Sequence, residues 1–143
     1  MYNTGSLILD TEPKNRDIYI KNKQDEKRKV SEGLIPTIVE IYVKDNFLIM
    51  DFIYPVRELE NKKNLIDTDD VIFILGKYTE KILKIKMTIH QEEELRNNFK
   101  LARREIEELI KAEKLEALKR SYKIIKHFLL EKEEEIIEYI FKK

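Results

Sequence analysis

The chain has 143 residues, and its 28 Lys and Arg are balanced by 28 Asp and Glu, so its formal net charge at pH 7 is zero. This length allows one domain, or a small domain with an extension. The neutral charge excludes a strong general attraction to nucleic acid or anionic lipid. The absence of Cys excludes disulfides, thiolate catalysis and Cys-based zinc sites.

Charged side chains make up 39% of the chain, well above the roughly 25% of ordinary domains. Abundant Lys and Glu indicate a thermophilic source, although an AT-rich genome would also enrich Lys. No apolar run reaches the ~20 residues needed to span a bilayer. The N-terminus also lacks the basic region of a secretory signal. We therefore expect a cytoplasmic protein that does not enter the membrane.

The segment between Pro36 and Pro55 carries the clearest β-strand pattern in the chain. Its two apolar runs, 38–44 and 47–54, flank the pair Asp45–Asn46, which suits a tight turn between antiparallel strands. A tight turn places three apolar pairs on one face, as a half-buried hairpin requires. These pairs are Val39 with Phe52, Ile41 with Met50, and Val43 with Leu48.

Four further segments have the composition of short strands: 7–9, 18–20, 71–75 and 82–89. The last of them alternates strictly, with Leu83, Ile85, Met87 and Ile89 on one side and Lys84, Lys86 and Thr88 on the other. The polar segment 21–33 is expected to be an exposed loop, and 56–70 a connection. Residues 1–88 are thus predicted to be a small β-rich domain of about six strands, forming an antiparallel sheet or a half-open barrel.

Residues 89–143 contain neither Gly nor Pro, which is typical of one long helix or of two helices folded on each other. Two apolar stripes at coiled-coil spacing run through this arm, and they are out of phase by two residues at 111–115. Strong helix formers at this slip favour one continuous helix, since a turn between helices normally contains Gly, Asn or Pro. The predicted fold is therefore α+β, with a long C-terminal helix favoured and a helical hairpin as the alternative.

Charge gives a second argument for the continuous helix. A hairpin folded near Glu113 would place Glu93 and Glu94 beside Glu133 and Glu134, which are like charges. Two arms crossing antiparallel would instead bring acidic segments against basic ones. The charge pattern thus favours self-association over a hairpin that folds back within one chain.

A continuous helix over 89–143 would leave much of its apolar seam uncovered. Such a helix would be about 80 Å long at 1.5 Å per residue, too long for the preceding domain to cover. The uncovered seam is predicted to bind a second copy, giving a homodimer, or a helical protein partner. Its predicted residues are Leu95, Phe99, Ile106, Leu109, Leu118, Tyr122, Ile125, Leu129 and Ile136.

Candidate catalytic and metal sites are few. The hairpin register places Glu40 opposite Asp51, and two close carboxylates can bind a divalent cation or share a proton. Like charges in that position are disfavoured, so we expect both to extend into water. His90 and His127 lack metal-ligand spacing, and the run 67–70 lacks the loop of an EF-hand. With no Gly-rich nucleotide motif either, we predict no catalytic residue, metal or cofactor.

Local clusters of basic residues provide an alternative function. Lysines on one face of the arm, and on the outward side of the last strand near Tyr42, resemble a weak nucleic-acid surface. Acidic residues are interleaved with them, as on an ordinary solvated surface. The residues concerned are Lys27, Arg28, Lys29, Lys84, Lys86, Lys119, Lys123 and Lys126.

These patterns predict a non-enzymatic interaction or assembly protein. Its C-terminal helical region is expected to self-associate or to dock a partner, because that region carries the unexplained apolar seam. The alternative is a nucleic-acid-binding accessory factor that uses the basic residues of the loop, the last strand and the arm.

Overall fold

A computed structural model of the chain describes residues 5–11, 33–63, 65 and 68–142. In these ranges the chain forms six β-strands followed by two helices. The strands are β1 (Leu7–Asp10), β2 (Ile38–Lys44), β3 (Phe47–Ile53), β4 (Glu60–Lys63), β5 (Val71–Gly76) and β6 (Ile82–Thr88). The helices are α1 (Glu92–Ala112) and α2 (Glu116–Phe141). The α+β fold with an N-terminal antiparallel sheet is therefore as predicted.

The strands form one sheet in the order β1-β2-β3-β6-β5-β4, and every neighbouring pair is antiparallel. The hairpin of β2 and β3 has the predicted register throughout, with Ile41 opposite Met50 at its centre. Asp45 and Asn46 both have positive φ, at 54° and 66°. A two-residue hairpin turn requires this left-handed backbone, which Asp and Asn tolerate better than most residues.

One strand assignment differs from the prediction, and another cannot be compared with it. The expected strand 18–20 and most of the expected loop 21–33 lie outside the described residues. Within the predicted connection 56–70, the structure has the strand β4, which pairs with β5 at the edge of the sheet. Its sequence, Glu-Asn-Lys-Lys, has no apolar alternation. Polar residues are common on edge strands, where backbone pairing alone defines the strand.

One side of the sheet, which we call the inner face, packs against both helices. Side chains of this face and of α1 and α2 form a single hydrophobic core, so the two predicted segments share their interior. The alternation predicted for β6 is confirmed, because Leu83, Ile85 and Met87 are buried while Lys84 and Lys86 are half-buried on the other side. Burial of this shared apolar surface is the main term that stabilises the fold.

The arm is a helical hairpin, so the favoured continuous helix was wrong. Helix α1 ends at Ala112, residues 113–115 are extended, and α2 begins at Glu116. The Glu113 N–H donates to the carbonyls of Leu109 and Ile110, and the Glu113 side chain accepts a hydrogen bond from the Leu115 N–H. Packing both stripes on the sheet outweighs the preference of these residues for helix, since helix propensity is worth less than ~1 kcal/mol per residue.

Ion pairs replace the like-charge contacts expected of a hairpin, because the two helices pair about a centre that lies after Glu113. Arg96 pairs with Glu134, and Lys126 Nζ lies 2.6 Å from Glu107 Oε1. Arg103 likewise pairs with Glu133. The midpoints of these pairs lie between residues 115 and 118. A shift of a few residues in the pairing of the two helices thus turns the expected like-charge contacts into ion pairs.

Neither helix is long and apolar enough to cross a membrane, nor is any other helix in the part of the chain that the structure describes.

Candidate interaction surface on the outer face of the sheet

The residues predicted to form a partner-binding seam lie inside the chain's own core. Eight of the nine are buried, and Leu109 packs at the margin of the same cluster. They occupy the interface between the helical hairpin and the inner face of the sheet. The stripe that motivated a partner is therefore covered within one chain, and in this fold it offers no exposed seam.

The side of the sheet away from the helices, which we call the outer face, is a different surface. Strand alternation and the register of the sheet define it, and neither α1 nor α2 packs against it. Among the described strand residues, it includes Ile8, Asp10, Ile38, Glu40, Tyr42, Lys44, Phe47, Ile49, Asp51, Ile53, Glu60, Ile72, Ile74, Lys84, Lys86 and Thr88.

Cross-strand pairing arranges the outer face in two rows. In the first row Glu40 lies beside Asp51, and Asp51 lies beside Lys84. In the second row Ile49 lies between Tyr42 and Lys86. In these two rows the acidic side chains lie on β2 and β3 and the basic side chains on β6; outside the rows, Lys44 lies on β2 and Glu60 on β4. We call these groups the acidic strip (Glu40 and Asp51) and the basic strip (Lys84 and Lys86).

Local contacts hold the charged side chains of this face. Lys84 Nζ lies 3.1 Å from Glu60 Oε2, and Lys86 Nζ lies 5.2 Å from the ring centre of Phe47. The Ser6 hydroxyl donates to Glu40 Oε2 at 3.3 Å. Burial raises the pKa of Asp51, Lys84 opposes that shift, and Glu40 adds to it. Burial lowers the pKa of Lys84, but the hydrogen bond and charge of Glu60 outweigh it and the net shift is upward.

The predicted carboxylate pair is therefore adjacent, with Glu40 and Asp51 directly opposite in the hairpin. Asp51 has Lys84 as its other cross-strand neighbour, which gives it a cationic partner rather than a free second carboxylate. In the described ranges no group of three or more His, Cys, Asp or Glu could hold a metal ion. His90 and His127 each lie beside a glutamate one helical turn away, Glu94 and Glu131.

The fold separates the described basic residues proposed for nucleic acid into two groups. Lys27, Arg28 and Lys29 lie outside the described residues. Lys84 and Lys86 lie on the outer face, whereas α2 with its lysines lies on the opposite side of the sheet. On α2, Lys126 pairs with Glu107, Lys119 lies 3.7 Å from Glu116, and Lys123 is exposed.

A buried polar cluster at one end of the sheet was missed by the sequence analysis. Lys81 precedes β6 and is only 2% exposed. Its Nζ donates to the carbonyls of Gly33 at 3.0 Å and Val56 at 2.9 Å, and lies 4.4 Å from the ring centre of Tyr54. Burial lowers the pKa of Lys81, and the Glu58 carboxylate, 4.0 Å away, opposes that shift. These contacts tie two loops to the end of β6, so we interpret the cluster as structural.

Glu58 completes this cluster by binding the turn between β5 and β6. Its carboxylate accepts hydrogen bonds from the N–H groups of Tyr78 and Thr79 and from the Thr79 hydroxyl. Burial alone would raise the pKa of Glu58, but these hydrogen bonds and Lys81 outweigh it and hold the pKa below its ordinary value. A Cβ at Gly76 would collide with the Glu58 carboxylate. The only sequence signal was thus a glycine beside a turn, which does not identify its distant partner.

Comparison with known proteins assigns no family to the chain, because no family model, curated protein or solved structure matches it.

Proposed function

We propose that this is a non-enzymatic interaction protein that assembles with another polypeptide chain through the outer face of its sheet. The helical hairpin serves this function indirectly, because it covers the inner face and holds the strands in register. The observation that carries the proposal is the composition of the outer face. Ile49, Ile72 and Ile74 occupy its centre and are buried within the chain, and exposed apolar side chains border them at Ile8 and Ile53.

The rim of this face supplies the exposed apolar area. Ile49, Ile72 and Ile74 are 6%, 9% and 8% exposed, so a partner would meet mainly the side chains around them. Ile8 and Ile53, on the same face, are 61% and 37% exposed. Apolar and aromatic side chains bordered by charged ones are the usual composition of a protein–protein interface.

The outward surface of the helical hairpin is a weaker candidate. Leu130, on α2, and Leu115, in the turn between the helices, are its large exposed apolar residues in the described ranges. Isolated exposed leucines are common on protein surfaces and do not require a partner. Docking through the helical region therefore has less support than docking through the sheet.

Two matched substitutions test the proposal. Ile8→Asp alters the outer face and Leu130→Asp alters the hairpin, and the two side chains are 61% and 62% exposed. Immobilised protein would be used to capture partners from extracts of its native cells, and each capture would be repeated with purified components. We expect Ile8→Asp to lose the partner and Leu130→Asp to retain it. Loss with Leu130→Asp alone would contradict the proposal and return the interaction to the helical region.

A second candidate function, nucleic-acid binding, is favoured by the pairing of lysines with aromatic rings on the outer face. Lys86 lies over Phe47, and Tyr42 is in the same row as Lys86. Open sheet faces with such residues bind single strands by stacking and by phosphate contacts. The acidic strip on the same face opposes phosphate binding.

A gel-shift titration at low and high salt tests this second candidate. Binding that weakens steeply with salt, and is lost in Lys84→Glu/Lys86→Glu but kept in Lys119→Glu/Lys123→Glu, would support it. Absence of binding to both DNA and RNA at low salt would exclude it.

A further inference from the structure

We infer that the chain bound by the outer face is a second copy of this protein, related by a twofold axis that runs parallel to the strands between β3 and β6. This inference rests on the proposed function, since it names the partner for the same surface. Two observations lead to it: the position of the charged strips and the order of the strands.

The strand order determines which strands would face each other. In the order β1-β2-β3-β6-β5-β4, three strands lie on each side of the gap between β3 and β6. A twofold axis along that gap places β3 opposite β6 of the second copy and β2 opposite its β5. Positions along the strands are preserved by this rotation, so residues of one row face residues of the same row. Facing sheets pack about 10 Å apart with strand directions within about 30°.

One residue of each strip meets an opposite charge under this rotation, while Glu40 faces Ile74 and Lys86 faces Ile49 of the second copy. Asp51 faces Lys84 of the second copy, while the same two residues are already cross-strand neighbours within each chain. Four charges of alternating sign therefore surround the axis. In the other row, Tyr42 faces Ile72 of the second copy, which adds an aromatic–aliphatic contact.

The charge pattern also rejects the alternative axis. A twofold axis in the same plane but perpendicular to the strands would stack β3 on β3 and β6 on β6. The basic strip on β6 would then lie against the basic strip of the second copy, which is unfavourable at an interface. Of these two axes, the one parallel to the strands joins Asp51 to Lys84 of the second copy, and an isologous contact of this type closes after two copies.

Thiol cross-linking tests both the dimer and its axis, because the chain contains no Cys and each introduced thiol is unique. Ile53 lies on β3, next to the axis, and Ile8 lies on the edge strand β1, and both are exposed on the outer face. At about 4.8 Å per strand and 10 Å between sheets, two copies of residue 53 lie about 11 Å apart, and two copies of residue 8 lie about 26 Å apart. We expect a short bis-maleimide to link Ile53→Cys rapidly and Ile8→Cys slowly. Equal linking, or faster linking of Ile8→Cys, would overturn the arrangement.

Charge reversal provides an independent test by sedimentation equilibrium of the full chain. We expect the unaltered protein to be a dimer at micromolar concentration. Glu40→Lys/Asp51→Lys and Lys84→Glu/Lys86→Glu should each be monomeric, and an equimolar mixture of the two should form a heterodimer. Lys123→Glu/Glu138→Lys, which alters exposed residues of α2, should remain a dimer. Thermal melts followed by circular dichroism identify any variant that fails to fold, and the cross-linking pair then decides.

The outcomes separate this inference from the proposed function. A monomer at 200 μM with no cross-link at residue 53 overturns the second copy, while the captured-partner experiment still decides whether the outer face binds another protein. A dimer that is unaffected by both charge reversals overturns the inference and places self-association on a different surface.

Discussion

The two faces of the sheet are built from the same strands, yet both helices cover one face and neither covers the other. On β3, Met50 faces inward and is completely buried, whereas Ile53 faces outward and is 37% exposed. The inner face is uniformly apolar because two helices cover it. The outer face mixes isoleucines, aromatic rings and both signs of charge, and neither helix covers it. Alternation of apolar and polar residues in the sequence assigns each residue to a face of the sheet. Only the packed structure identifies what covers that face.

Removing the two helices that cover the inner face should have the largest effect on the stability of the fold. A chain truncated after Ile89 lacks both helices and exposes the inner side of every strand. Because sheet and helices share one core, we expect the truncated chain not to unfold cooperatively, as measured by near-ultraviolet circular dichroism during a urea titration. A truncated chain that stays folded and monomeric would mean that the sheet domain is independent of the hairpin.

Substitutions on the two sides of the single strand β3 should show the same difference between the inner and outer faces, with smaller losses of stability. Met50→Ala opens a cavity in the core and should lower the free energy of unfolding by about 2–5 kcal/mol. Ile53→Ala, on the other side of β3, removes a partly exposed side chain and should lower it by about 1 kcal/mol or less in the monomer. Urea denaturation of both variants measures the difference, and equal losses would contradict the assignment of the two faces.

Substitution of the buried Lys81 should have an intermediate effect on the free energy of unfolding. Lys81→Met keeps the apolar stem but leaves the carbonyls of Gly33 and Val56 without their donor. We expect a loss in the free energy of unfolding of about 1.5–3 kcal/mol, the range for hydrogen bonds to charged groups. Lys86→Met, a matched change on the outer face, should cost less than about 0.5 kcal/mol in the monomer. Similar losses from both would show that the buried cluster is not structural.

The smallest predicted effect is a pH dependence from Glu58. Its pKa in the folded protein is lower than the ordinary value of 4.5, so the folded state favours the ionised carboxylate. The resulting stabilisation is fully present above the ordinary pKa and is lost as the pH falls through the lowered one. We expect unfolding midpoints in urea to fall below about pH 4.5, and to fall less steeply in Glu58→Gln. Parallel profiles for the two proteins would refute this assignment.

The sequence was most informative where local pattern and tertiary packing agree. The β2–β3 register followed from alternation and the two turn residues, and the faces of β6 followed from its lysines. The strand β4 has no such pattern, because an edge strand can be held by backbone pairing alone. The candidate surface was only partly predictable. Lys84, Lys86 and Tyr42 were placed correctly on the outward side, but nothing local indicated that the opposite side would be covered completely.

The turn within the helical arm could not be predicted from local sequence. The two-residue slip at 111–115 was recognised, but helix propensity favoured continuation. The chain reverses there because the sheet offers a surface on which both stripes can be buried, and that surface is assembled from residues far away in sequence. Lys81 is a similar case. A lysine before a strand is ordinarily exposed, and its burial depends on two loop carbonyls and on a carboxylate over twenty residues away.

The polar edge strand β4 has a consequence for how copies of this chain can accumulate. A sheet with free edges can add further strands, and growth of that kind has no natural end and leads to fibres. At the β4 edge, Glu60 carries an exposed charged side chain beside the backbone with which an incoming strand would have to pair, which disfavours such growth. At the opposite edge, β1 offers only four residues. Growth at the edges is thereby discouraged at both ends of the sheet, and assembly is directed toward contacts that are finite.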